Sequence, residues 1–193
     1  IAMKIWNLAE MGYLEEQSSS LLQQTLSNEG FTVKKGVANI PTAFVAEYGS
    51  GLPIIAILGE FDALPGLSQQ ALPEKKSANA EAGHACGHHL FGTASSAAAI
   101  AVKKWMQNTK QKGTIRFYGC PAEEGGGAKV YMAREGLFDD VDIALHWHPG
   151  SQNAASAAAA LANISAKFRF YGVSAHAAGA PEKGRSSLDG VEA

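Results

Sequence analysis

The chain has 193 residues, 46% of them hydrophobic and 18% charged, with a formal net charge of −2. This is the balance of an ordinary soluble globular protein with material for a core, in one domain or one and a fraction. It offers no basic footprint for nucleic acid and no charged tail. No apolar run approaches the ~20 residues of a membrane span, and the first residues lack the pattern of a signal peptide, so the chain reads as soluble and unexported. Two cysteines, Cys86 and Cys120, cannot build a disulfide framework, and a reducing cytoplasm is the expected setting. The chain begins at Ile1 rather than Met and stops just after a helix-like opening at residues 187–192, which reads as a fragment of something longer.

Taken in order, Ile1, Ile5, Leu8, Met11, Leu14, Leu21, Leu22 and Leu26 recur at helical spacing, predicting an amphipathic helix broken near Gly12 or Ser18–Ser20 and stopped at Gly30. This segment reads as packing, not chemistry. Residues 31–33 and 42–48 are strand-like, Gly49-Ser50-Gly51 is a turn, and Pro53-Ile54-Ile55-Ala56-Ile57-Leu58 has the continuous apolar character of a strand buried on both faces. That run ends in Glu60 and Asp62, at the strand end where open α/β sheets bind ligands. Glu60 reads as an exposed strand-end charge without a role. Residues 67–82 form a long polar loop, of the kind that is usually functional or mobile.

The loop leads to Gly83-His84-Ala85-Cys86-Gly87-His88-His89, three imidazoles and one thiol within six residues. Thiolate and neutral imidazole are preferred donors for Zn²⁺ and related first-row ions. The competing reading is a closed structural zinc site or a metal-free histidine loop. A helix of small residues follows over 90–107, then a strand at 114–118 that delivers Cys120, Glu123 and Glu124. Cys120 reads as a buried small hydrophobe. A helix over 128–135 stops at Gly136, and a strand at 141–145 ends in His146-Trp147-His148-Pro149. Three strands thus finish in acids or metal-ligand types. Trp147 reads as core, or as a platform for an aromatic group. Residues 152–162 shift to Ala, Ser and Asn, a plausible boundary, after which residues 164–171 alternate with period two, as in a half-exposed antiparallel strand.

These motifs, in this order, carry a resemblance. Glu60-Phe61-Asp62-Ala63-Leu64-Pro65, Gly83-His84-Ala85-Cys86-Gly87-His88, Pro121-Ala122-Glu123-Glu124, His148-Pro149 and Gly172-Val173-Ser174-Ala175-His176 through Arg185 resemble the co-catalytic metallopeptidases that include aminoacylases, hippurate hydrolase, auxin-conjugate amidohydrolases and carboxypeptidase G. The wording of residues 117–121 and 134–142 is similar to the branch acting on p-aminobenzoyl-glutamate. The likeness runs from about Ile54 to Glu192.

The resemblance implies an α/β fold with a central, largely parallel sheet flanked by helices over residues 1–162, followed over 163–193 by the start of an α+β small dimerisation domain. It implies two divalent metal ions, zinc or manganese, bound between strand ends. Amide hydrolysis at neutral pH needs a water of lowered pKa and a positive centre for the oxyanion, which two ions roughly 3.5–4 Å apart supply. The matching ligands are Cys86, His88, Glu124 and a histidine at 146 or 148; the family at large favours His146, and the p-aminobenzoyl-glutamate branch His148. Cys86 and His88, two residues apart, can face one pocket from an extended loop. Glu123 matches the general base, and Asp62 an acid that orients a ligand imidazole. His89 stands where an acid is common, placing a third imidazole near the metals or in the surrounding shell.

His176 matches a histidine that reaches across a dimer interface towards the developing oxyanion. A last ligand histidine is expected beyond Ala193. The implied activity is hydrolysis of an N-acyl amino acid amide, p-aminobenzoyl-glutamate among the candidates, in a homodimer or with a related subunit. Rival readings are a dipeptidase on the same site, and a catalytically silent metal-binding subunit.

Overall fold

Apolar residues in the central strands give the sheet two buried faces, each packed against helical segments. The computed structural model describes residues 1–155 and 159–193. It divides into two compact units, Ile1–Ala154 and Ala155–Ala193.

The first unit holds α1 (Ala2–Leu8), α2 (Glu16–Asn28), β1 (Thr32–Lys35), β2 (Phe44–Ser50), β3 (Ile54–Gly59), β4 (Leu64–Pro65), β5 (Ala82–Gly83), α3 (His88–Thr109), β6 (Gly113–Gly119), α4 (Ala128–Arg134) and β7 (Ile143–Leu145). The N-terminal helical pattern is broken between Leu8 and Glu16, with Gly12 inside the break. Five strands form one sheet in the order β1-β2-β6-β3-β7. The β6, β3 and β7 strands run parallel, while β2 pairs antiparallel with both β6 and β1. The architecture is therefore α/β, with a parallel half that carries the chemistry and an antiparallel flank.

Period-two alternation sends Phe44, Ala46, Ile57, Ile115 and Phe117 to one face, where they pack with Ile5, Leu22, Leu26, Phe31, Ala99 and Met106 from the helices. Ala56, Tyr118 and Cys120 face the other way, against Val37, Ile40, Ala128 and Met132. Each large apolar side chain so buried contributes about 1.5–3 kcal/mol. Cys120 is fully buried and its thiol donates to the Tyr118 carbonyl at 3.4 Å.

Register decides where the chemistry emerges. Gly59 of β3 pairs with Gly119 of β6, so these parallel strands end at the same level. β7 pairs Leu145 with Ile57, two residues short of that level. Residues 60–62, 120–124 and 146–148 therefore leave one edge of the sheet together. The loop 66–81 is closed at its base by the β4/β5 pair, Leu64 opposite Gly83, which returns the chain to the same edge. Its own bonds fill it: Gln70 Nε2 donates to the Ser77 carbonyl at 3.0 Å, and Ala80 N–H to Ser68 Oγ at 3.1 Å.

The helix after the histidine cluster begins at His88, two residues before the expected start. Cys86 and His88 thus do not share an extended loop. Gly87 turns between them at φ 83°, and a β-carbon there would stand 3.0 Å from Pro149 Cγ. In the second unit, residues 164–171 form no strand, because among the described residues none pairs with them. That unit is tied instead by the bridge between Val173 and Arg185 and ends in α5 (Ser187–Glu192), capped by Ser186 Oγ accepting from Leu188 N–H. The segment 152–162, expected as a boundary, falls partly on residues 156–158, outside the described residues.

Gly92 lets α3 lie against the end of β3: a β-carbon there would sit 2.5 Å from the Glu60 carbonyl oxygen. Ala is the better helix former by about 1 kcal/mol, but the obstacle is backbone. Gly92→Ala is expected to destabilise by about 1–3 kcal/mol, read as a lower urea midpoint; an unchanged or raised midpoint would show that α3 is not seated this closely.

Candidate metal centre

Asp62 is 1% exposed and uses both carboxylate oxygens at the shared strand edge. Oδ1 stands 2.9 Å from His88 Nδ1, and Oδ2 accepts the Glu124 N–H at 2.9 Å. One side chain thus ties the end of β3 to the start of α3 and to the turn after β6. A carboxylate at Nδ1 fixes the proton there and presents Nε2 as the free donor atom. Burial disfavours the imidazolium of His88, but the Asp62 hydrogen bond and the surrounding acids outweigh it and raise its pKa above the ordinary value.

On the open side of His88, Cys86 Sγ lies 3.3 Å from His148 Nε2. The ligand atoms of Cys86, His88 and His148 all lie within 4.8 Å of one another, as do those of Glu60, His88 and Glu123. Burial pushes the Cys86 thiol up to about 12, helped by its hydrogen bond to the Glu124 carboxylate and by the nearby acids. In the metal-free protein Cys86 is therefore a thiol; a divalent cation reverses that balance and deprotonates it. His148 is exposed and oriented by Nδ1 against the Pro149 carbonyl at 2.9 Å. His146 lies apart from the Cys86 group, edge-on to Phe91 at 4.9 Å and 3.9 Å from Glu60 Oε1.

Glu123 is half-exposed, with Oε2 at 3.9 Å from His88 Nε2. His84 and His89 turn into the core. His84 Nε2 meets the Ile5 carbonyl at 3.0 Å, and His89 stacks edge-on to Trp6 at 4.7 Å. Burial pushes His89 down to about 4, keeping it neutral. Trp147 packs edge-on to Phe91 at 5.9 Å. His176, in the second unit, accepts from the Ala178 and Gly179 amides on Nδ1, at 3.2 and 2.9 Å, which leaves its proton on Nε2.

Two residues at this edge carry more than their sequence context indicates. Glu60 is 2% exposed rather than a surface charge; Lys129 of α4 donates to its Oε1. Glu15, at the start of α2, is 0% exposed. Its Oε1 accepts the Ala122 N–H at 2.7 Å and its Oε2 the Thr42 hydroxyl at 3.2 Å. Ala122 is left-handed, φ 52°, a conformation unfavourable to a residue with a β-carbon. Glu15 thus holds the turn that aims Glu123 and Glu124. The one signal for this in the sequence is an acid at a helix start, which also occurs as a simple N-terminal charge.

The chain belongs to peptidase family M20/M25/M40, whose pattern residues 56–181 match. Across 193 residues it is 53% identical to a subunit of the p-aminobenzoyl-glutamate hydrolase of Escherichia coli K12, covering 99% of this chain and 40% of that protein. It is 29% identical over 201 residues to the Xaa-Arg dipeptidase of Mus musculus, covering 98% of this chain and 43% of that one. The solved dinuclear metal-binding M20 peptidase of Bacillus subtilis superposes on 75% of this chain and 42% of its own, with a TM-score of 0.59 and 26% identity. The chain spans about two fifths of the length of these relatives.

Burial is the first cause that raises the Glu15 carboxyl above its ordinary value, against the lowering effect of its amide donors. A raised carboxyl favours folding below its unfolded pKa, and that contribution is lost as pH rises through the folded value. Glu15→Gln carries no charge, keeps an acceptor for the Ala122 amide and turns the other position into a donor that the Thr42 hydroxyl can accept. Its stability relative to the native protein should therefore grow as pH rises from about 4.5. Glu15→Ala leaves the Ala122 amide buried without a partner and should cost about 1–3 kcal/mol. Urea unfolding across a pH series reads both; a Gln variant that tracks the native protein at every pH would disprove the assignment.

Proposed function

We propose that this chain carries the metal-binding part of an amidohydrolase that cleaves an N-acyl amino acid amide, with p-aminobenzoyl-glutamate the first substrate to test. The observation carrying this reading is the convergence of Cys86, His88 and His148 on one point beside the Glu123-Glu124 turn. The 53% identity to a p-aminobenzoyl-glutamate hydrolase subunit supports the choice of substrate.

The donor set fits a divalent first-row ion: one thiol, imidazoles and carboxylates, with the buried His88 Nε2 lacking any hydrogen-bond partner. We assign Cys86, His88, Glu124 and His148 as ligands, and His146 as a neighbour outside the set. A pair of such ions, zinc or manganese, would lower the pKa of water and polarise the amide carbonyl at this edge. Glu123, half-exposed beside His88, takes the proton from the attacking water and delivers it to the leaving nitrogen. Asp62 holds His88 in the tautomer that offers Nε2 and keeps the backbone of Glu124 in place. Trp147, exposed and packed edge-on to the buried Phe91, gives the site an aromatic face suited to an aromatic acyl group.

We read residues 163–193 as the start of a small domain, which pairs with a second copy or a related subunit and across that interface offers His176 to the substrate or oxyanion in the partner's site. That the Escherichia coli relative is itself named as a subunit favours the related partner. Among the described residues no helix is long and apolar enough to cross a membrane, and a cytoplasmic setting suits the free thiols. The dipeptidase alternative has its own support in the likeness to Xaa-Arg dipeptidase.

The deciding experiment uses the whole protein that carries this chain, assayed on p-aminobenzoyl-glutamate, other N-acyl amino acids and dipeptides ending in arginine. Preferential cleavage of the first supports the proposal, and preference for the dipeptides replaces it with the second reading. Glu123→Gln should lower kcat by about 10²–10⁴-fold with metal content unchanged. His148→Ala should lose metal where His146→Ala retains it; the opposite pattern would reverse that ligand assignment.

A further inference from the structure

We propose that Glu60 is itself a metal ligand, its Oε2 and His88 Nε2 sharing one divalent cation while Lys129 holds the other carboxylate oxygen. This rests on the reading of the site as a metal centre. Glu60 lies outside the ligand set assigned above.

The geometry at His88 Nε2 is the ground for it. Glu60 Oε2 stands 3.0 Å from that nitrogen, with both side chains almost wholly buried. Yet Nε2 has no hydrogen-bond partner. With the proton on Nδ1, facing Asp62, Nε2 presents a lone pair to a carboxylate oxygen, and two acceptors at that distance repel. With Nε2 also protonated the pair should form a charged hydrogen bond, and its geometry is not that of one. Neither protonation state satisfies both atoms. A cation between them does: two donors each about 2.0–2.2 Å from a common ion lie roughly 3–3.5 Å apart.

Charge agrees with geometry. Glu60, Asp62 and Glu123 all face His88, and among the described residues Lys129 is the lysine paired with Glu60. Two of these acids, Glu60 and Asp62, are buried, and buried carboxylates in excess over cations are costly to leave uncompensated. Lys129 donates to Oε1 and so turns Oε2 towards Nε2. Its role is to orient the ligand.

The test titrates Co²⁺ into the whole protein after removal of metal, following heat and the visible spectrum of the bound ion. Glu60→Gln should change that spectrum and weaken one Co²⁺ by more than the roughly 10–100-fold typical of residues that merely support a ligand. Glu60→His, which substitutes one donor for another, should bind Co²⁺ with a spectrum distinct from both. Wild-type affinity and spectrum in Glu60→Gln would overturn the proposal. If Glu60→Gln does not fold, as read by circular dichroism, Glu60→His decides, and a wild-type spectrum in it would overturn the proposal equally. Failure of the unsubstituted protein to bind Co²⁺ would instead overturn the metal-centre reading, and the ligand role of Glu60 with it.

Discussion

The site hangs on the two bonds made by Asp62. A carboxylate removed from water must find partners for its oxygens, and Asp62 finds one on α3 and one in the turn after β6. Three segments distant in the chain are thereby fixed to one another. Because its partners are a ring nitrogen and a backbone amide, the constraint sets a tautomer and a chain direction together. What His88 and Glu124 can do chemically follows from that.

The constraint works because the sheet has already brought the segments together. Parallel pairing with Gly59 opposite Gly119 places two strand ends side by side. The β7 strand is anchored next to β3 by Asp142 Oδ2, which accepts the Ile54 N–H at 2.7 Å. The glycine at 92 lets α3 approach until its first turn enters the same space. A one-residue slip between β3 and β6 would turn Asp62 to the opposite face. The apolar faces of the central strands hold the register, and through it the candidate metal centre.

A second layer of buried charge supports the first. Glu15 reaches Ala122 across 107 residues of sequence, and Lys129 reaches Glu60 across 69. Each satisfies a group whose loneliness in the core would be costly, and each fixes a neighbour of the proposed ligands. The first unit thus couples its stability to the geometry of its site. The N-terminal helices, read as packing alone, contribute through Glu15 to the turn that presents Glu123.

The elements of the first unit were largely legible because their periodicities are local: apolar runs for β3 and β6, small residues for α3, and glycines at the stops. The donor types and their places at strand ends were legible for the same reason. Residues 164–171 misled because alternation shows that a segment can pair, while a strand exists only where a neighbour supplies the other half of its hydrogen bonds. The sequence by itself determined which kinds of metal donor the chain offers and which end of the sheet would carry most of them. Only the tertiary structure set His148 rather than His146 beside Cys86, turned His84 and His89 into the core, and buried Glu60 and Glu15. Exposure and distance arise from segments far apart in the chain, and no local pattern encodes them.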